Sequence, residues 1–129
     1  MISYDDFKKL EIKAGRILSA EKIPDTDKLL RLMVDFGLKL PISEDGSLDN
    51  LPITENSGER DVRQIVSGIA PHFPYITVLV GKNCMFVTNL EPRVIRGHES
   101  DGMILAVSAT DGFSLLEPNS AIPPGTRAT

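Results

Sequence analysis

Arg93 and Arg96, three residues apart, are the strongest candidates for binding chemistry in this chain. They lie in Asn89 to Met103, written NLEPRVIRGHESDGM, which also holds a histidine, three acids and a serine. Only Leu90, Val94 and Ile95 are apolar between its two ends. Guanidinium groups neutralise phosphates, and asparagine and serine bond phosphate or sugar oxygens. The run CMFVT enters this stretch and MILAV leaves it, so it reads as a polar loop held between two buried strands. Pro92 fixes its own φ and biases Glu91 toward extended backbone, and a polar loop on rigid strands is where binding groups collect.

The positioning elements follow from the pattern on either side. Ser3-Tyr4-Asp5-Asp6 is a helix start, a capping serine followed by acids in the first turn, with Phe7 and Leu10 on one side of a short helix. Glu11 to Ile23 alternates as a long first strand, and Gly15 inside it suggests a bulge or sharp bend. After the turn Pro24-Asp25-Thr26-Asp27 comes Lys28, then LLRLMVDF. There Leu30, Leu32, Val34 and Phe36 share one face, with Arg31 and Asp35 on the other.

Leu38 to Asp61 has scattered apolar residues and is read as an insertion between strands two and three. Val62 to Ser67 is strand three, and Ile69 to Val80 a short helical crossover made irregular by Pro71 and Pro74. Asn83 to Leu90 is strand four and Gly102 to Ser108 strand five, with one more short strand at Phe113 to Glu117. The tail AIPPGTRAT is expected to lie extended along the surface. The expected fold is all-β: a five-stranded OB-fold (oligonucleotide/oligosaccharide-binding) barrel. It has a short N-terminal helix, a short helix between strands three and four, and a C-terminal extension. One domain is expected over residues 1–129, with an acidic insertion at about 38–61.

The net charge of −4 argues against a strongly basic nucleic-acid footprint. The acid is concentrated, however. Leu38 to Asp61 holds Glu44, Asp45, Asp49, Glu55, Glu59 and Asp61 against Lys39 and Arg60, which leaves the remainder of the chain neutral. No apolar run approaches the roughly 20 residues that cross a bilayer. MISYDDFKKLEI lacks a basic-then-apolar signal pattern, so a cytoplasmic location is expected. Cys84 is the single cysteine and has no disulfide partner, while His72 and His98 have no ligand-like spacing. No phosphate loop, dinucleotide turn or nucleophile elbow occurs. The expectation is therefore no catalytic residue, no metal and no cofactor.

Several ordered segments resemble one family. DKLLRLMVDFG (Asp27 to Gly37), RQIVSGIA (Arg63 to Ala70) and NLEPRVIRGHESDGM are similar to the tRNA-binding domain at the C-terminal end of many methionyl-tRNA synthetases. That domain also occurs in stand-alone bacterial tRNA-binding proteins and in endothelial monocyte-activating polypeptide. EIKAGR (Glu11 to Arg16) resembles the family's first-strand motif, and LLEPNSAIPPGT (Leu115 to Thr126) its ending. The resemblance implies a homodimeric OB-fold that binds tRNA by shape, free-standing or auxiliary to methionyl-tRNA synthetase. It implies RNA-binding roles for Lys28, Arg63, Asn89, Arg93, Arg96, Ser100 and Met103.

Each residue also has a plainer reading. Met103 opens a strand and suits a core, Asn89 and Ser100 suit loop-backbone bonding, and Lys28 is a solvated surface lysine. The chain departs from the family in its longer, acidic link between strands two and three and in its fewer lysines. With no Trp and two Tyr, base stacking is expected to be minor. Two alternatives share the fold: a dimeric peptide-binding export chaperone, and a module that docks to a synthetase.

Overall fold

The alternating apolar positions of Leu30, Leu32, Val34 and Phe36 build the centre of the molecule. In the computed structural model, which describes residues 1–39 and 59–129, all four are buried in β2 (Leu30–Leu38). On one side β2 pairs with β1 (Ile12–Lys22), on the other with β3 (Arg60–Ser67), both antiparallel. β4 (Asn83–Val87) joins the far side of β1 and β7 (Met103–Ile104) joins β4, giving one curled sheet in the order β3-β2-β1-β4-β7. The fold is all-β and OB-like, as the pattern of strands and crossover implied.

β1 serves two partners in succession. Ile12 to Arg16 pair with β4, and Arg16 to Lys22 pair with β2. The register slips at Leu18, between Ile17 and Ser19, so the bulge is there rather than at Gly15. Gly15 has another role: a Cβ on it would lie 2.7 Å from both Phe36 Cε1 and Val34 Cγ1. The first strand's backbone thus lies directly under core side chains of the second. Phe36 also meets Phe86 edge-on, with ring centroids 5.2 Å apart. Ile17, Ile65, Leu79 and Cys84 complete the fully buried set. Burial in this set pushes the Cys84 thiol up to about 12.

Three elements differ from the sequence reading. The crossover is two 3₁₀ turns, Ala70–His72 and Ile76–Leu79, because prolines at 71 and 74 deny the backbone donors a longer helix needs. Strand five is divided between β7 and β8 (Ala106–Ala109). β8 leaves the main sheet to pair with β9 (Gly112–Leu115). Asp35 does alternate to the face opposite Val34, yet it is buried, its carboxylate accepting from Gly37 N–H at 2.9 Å and Arg60 Nε at 2.8 Å. A buried acid in that position needs those donors, and the turn and the neighbouring strand supply them.

Helix α1 (Tyr4–Lys8) has the capping box expected of Ser3, whose hydroxyl accepts from Asp6 N–H while Asp6 accepts from Ser3 N–H. None of its residues is buried. The tail is extended only at its end: Ile122 N–H bonds the Asn119 carbonyl and Thr126 N–H the Pro123 carbonyl, so the prolines sit in turns, and the residues after them are bound along β1. Gly125 N–H donates to Ala14 carbonyl at 2.7 Å, Ala14 N–H to Thr126 at 2.8 Å, and Ala128 N–H to Ile12 at 2.7 Å. Arg127 then reaches the carbonyls of Lys8 and Leu10 and ties the helix end to the tail. Most of the acidic insertion lies outside the described residues. Among those described, no helix is long and apolar enough to cross a membrane.

Candidate nucleic-acid interface

The stretch read as an open loop is a small hairpin. β5 (Arg93–Ile95) and β6 (His98–Ser100) pair antiparallel, with Arg93 opposite Ser100, Val94 opposite Glu99 and Ile95 opposite His98. The two residues between them, Arg96 and Gly97, have φ of 52° and 81°. Positive φ at both central positions marks the type I′ turn that suits the twist of a two-residue hairpin. Arginine is an unusual first residue for such a turn, and it places the guanidinium of Arg96 at the hairpin's tip.

The root of the hairpin is fastened to β3. Ser100 Oγ accepts from Val66 N–H at 3.0 Å and donates to Gly102 carbonyl at 2.9 Å. Gln64 Nε2 donates to Glu99 carbonyl at 2.9 Å, and Asp101 N–H donates to Gln64 carbonyl at 2.8 Å. These bonds join β3 to the chain leading into β7, the opposite margin of the sheet, and so draw the curled sheet together. Ser100 is accordingly buried, and its hydroxyl faces protein groups.

Asn89 holds the other root of the hairpin to the N-terminal segment. Its Oδ1 accepts from Glu11 N–H at 2.8 Å and its Nδ2 donates to Lys9 carbonyl at 2.6 Å. Next to it, Thr88 donates its hydroxyl to Glu11 Oε1 at 2.6 Å. Burial alone would raise the Glu11 carboxyl. The Thr88 hydroxyl, Lys13 and Arg127 outweigh it and hold the group below its ordinary value.

Arg63 is enclosed. It forms a two-point bond to Asp61, Nε and Nη2 each at 3.0 Å, and donates from Nη1 to Thr88 carbonyl at 2.6 Å. Asp101 lies 3.9 Å from its Nε, and the guanidinium carbon stands 5.3 Å over the Phe36 ring. The bond from Asp61 raises the Arg63 pKa further despite burial, so the site is a fixed positive charge. The sequence reading left Asp61 in the insertion, but β3 begins at Arg60 and so puts residues 61 and 63 on one face. Thr88 and Asp101 are brought near only by the fold.

Arg93 and Arg96 differ from Arg63 in every respect. Both are exposed, and among the described residues neither makes an ion pair. Met103, at 44% exposed, opens β7 opposite Val87. The structure thus gathers Arg63, Asn89, Arg93, Arg96, Ser100 and Met103 around one hairpin. Lys28 stands apart, exposed in the turn before β2, at the Ser67 end of β3. Its carbonyl accepts from Ala70 N–H at 3.0 Å. Glu91 and Glu99 are exposed on the same hairpin, so its field is mixed and any grip on an anion must come from placement.

Comparison with known proteins bears on the family and the fold. The methionine–tRNA ligase of Methanoregula boonei is 46% identical over 127 residues, covering 98% of this chain and 15% of that protein. For the methionine–tRNA ligase of Thermotoga maritima the identity is 38% over 128 residues, covering 99% and 17%. The chain therefore spans only about 15% of the length of the first curated relatives it matches. The crystal structure of a MetRS related protein from Pyrococcus horikoshii superimposes with a TM-score of 0.76 at 32% identity, covering 100% of this chain and 98% of that one. The chaperone CsaA from Bacillus anthracis gives a TM-score of 0.71 at 25% identity, covering 100% and 99%. A family model described as "Putative tRNA binding domain" matches residues 49–127, more than half of the sequence, and the chain belongs to that tRNA-binding domain family.

Proposed function

We propose that this chain is a non-catalytic module that grips folded tRNA by its shape, free-standing or as an auxiliary to methionyl-tRNA synthetase in the cytoplasm. The observation that carries the reading is the contrast among three arginines on one hairpin and its footing. Arg63 is bound into the protein, whereas Arg93 and Arg96 are exposed and, among the described residues, make no ion pair, on a hairpin anchored at both roots. In this reading Arg93, Arg96 and Lys28 meet phosphates, and the exposed edge of Met103 packs on a sugar or base. Arg63, Asn89 and Ser100 act by holding that surface in place.

The test is a gel-shift titration of total tRNA at several salt concentrations. Replacing Arg93 and Arg96 together by alanine is expected to weaken binding about tenfold at physiological salt. It should also lower the salt slope by between about 1 and 2, since two phosphate contacts are lost. The thermal midpoint should stay within about 2 °C, as both side chains are exposed and make no ion pair among the described residues. A wild-type chain that ignores tRNA but takes up unfolded peptides would replace this reading with a chaperone-like one, the function named for the similar protein from Bacillus anthracis.

A homodimer is part of the same proposal. Ile2, Tyr4, Phe7 and Leu10 are all at least 36% exposed at the N-terminal end, an apolar side that α1 does not bury within its own chain. Light scattering is expected to give about twice the single-chain 14.1 kDa. A mass near the single-chain value would remove the dimer and leave the RNA reading untouched.

A further inference from the structure

The second half of the chain carries an aromatic groove that the arginine hairpin does not use. The 3₁₀ turn Ala70–His72 lays the His72 ring flat on Phe113 of β9, with centroids 3.8 Å apart and planes 2° from parallel. Phe73 meets the same ring edge-on at 5.9 Å. Beside them Lys82 and Glu117 form an ion pair at 3.2 Å, and the whole encloses a groove of about 340 Å³ with Ser114 on its wall. That volume falls at the lower end of sites for small molecules, roughly 300–1,000 Å³.

The chemistry of the walls is specific. Phe113 is partly buried, whereas His72 is exposed. Phe113 covers one face of the His72 ring, and the residue as a whole remains exposed. A flat, open, polar-edged ring is a stacking platform for a nucleobase. Lys82 and Glu117 side chains are 34% and 43% exposed, so their pair is weak and open to exchange. An ionised carboxylate only accepts hydrogen bonds, which favours a base that presents an amino group. Uracil presents instead a single N–H between two carbonyl oxygens that a carboxylate repels. The ammonium supplies the phosphate contact. The groove is also linked to Lys28, the candidate contact that stands apart from the hairpin, since Ala70, at the start of the turn that carries His72, donates its N–H to the Lys28 carbonyl.

We propose that this groove receives one unpaired nucleotide of a bound RNA, with its base stacked on His72, its exocyclic amino group donated to Glu117 and its phosphate beside Lys82. The proposal rests on the reading of the chain as an RNA-binding module and adds to it a second, single-stranded contact with a preference among bases.

The experiment compares labelled pentacytidylate and pentauridylate by fluorescence anisotropy, with the tRNA gel shift run in parallel. Wild type should bind the cytidine strand at least about fivefold more tightly than the uridine strand. His72→Ala should weaken cytidine-strand binding about tenfold, the loss of one stacked base, while His72→Tyr keeps the ring and retains it. Glu117→Gln should bring the two strands to equal affinity. Equal binding of both strands by wild type would overturn the proposal. So would a His72→Ala protein that unfolds more readily but binds the cytidine strand as before, because the stack would then be structural alone. Should His72→Ala fail to fold, Glu117→Gln decides by itself. The two readings separate cleanly: a base preference without a tRNA shift removes tRNA and leaves the groove, and a tRNA shift without base preference does the reverse.

Discussion

Replacing Gly125 by alanine is expected to lower the thermal midpoint by roughly 10 °C, corresponding to about 2–4 kcal/mol for a domain of this size. Two costs combine. The residue has φ of 91°, which an L side chain rarely adopts, and an added Cβ would lie 2.4 Å from the carbonyl oxygen of Phe36. That neighbour is backbone in β2 and cannot swing aside. The tail must therefore lift or the end of β2 must shift. Lifting the tail breaks the bonds of Gly125, Thr126 and Ala128 to the first strand and takes Arg127 away from the carbonyls of Lys8 and Leu10. Limited proteolysis should then cut the tail and the segment before β1 earlier than in wild type. Gly112→Ala is the control: nothing lies within 4 Å of its would-be Cβ, so it should change stability by less than about 0.5 kcal/mol. Equal midpoints for the two variants would show that the tail contributes nothing to the fold.

The tail shows what the sequence could and could not convey. Two consecutive prolines suggest an extended segment, yet they sit in a turn that Thr126 N–H closes on the Pro123 carbonyl, and only the residues after it run along β1. The tail's pairing partner depends on β1 being shared between β2 and β4, a property of the sheet that no local pattern records. The alternation in β2 was readable because each apolar residue faces the same core along the whole strand. The helix start was readable because a capping box is a matter of four neighbouring residues.

The hairpin was not readable, for two physical reasons. Its strands are three residues each, too short for a period of two to stand out, and its turn uses Arg-Gly instead of the usual Asn-Gly or Asp-Gly. Asp35 misled for a related reason. Alternation gives the side of the strand, but burial on that side depends on Arg60, which arrives from 25 residues away. For the candidate site the division is similar. Exposure of Arg93 and Arg96 follows from a polar surrounding sequence. The bonds of Asn89 to Lys9 and Glu11 cross 80 and 78 residues and exist only in the folded chain.

Arg63→Ala tests whether that folded-state clamp or direct contact with RNA explains the residue. The expected loss of stability is about 2–3 kcal/mol. That lies between the small value of an exposed ion pair and the 3–5 kcal/mol of a broken buried one. The arginine side chain is 18% exposed and that of Asp61 21%, so neither limit applies alone. Three separate contacts are lost: the two-point bond to Asp61, the bond to Thr88 carbonyl and the cover over Phe36. Lysine should not rescue the fold, because a single ammonium cannot hold Asp61 at two points and reach Thr88 as well. Weakened tRNA binding is expected too, as Thr88 and Asp101 flank the two roots of the hairpin. The discriminating quantity is the salt slope of that binding. A clamp that never touches phosphate leaves the slope of wild type, whereas a lost phosphate contact lowers it by about 1. An Arg63→Ala protein with unchanged midpoint and a lower slope would therefore make Arg63 a third RNA-facing arginine and refute its role in positioning the other two.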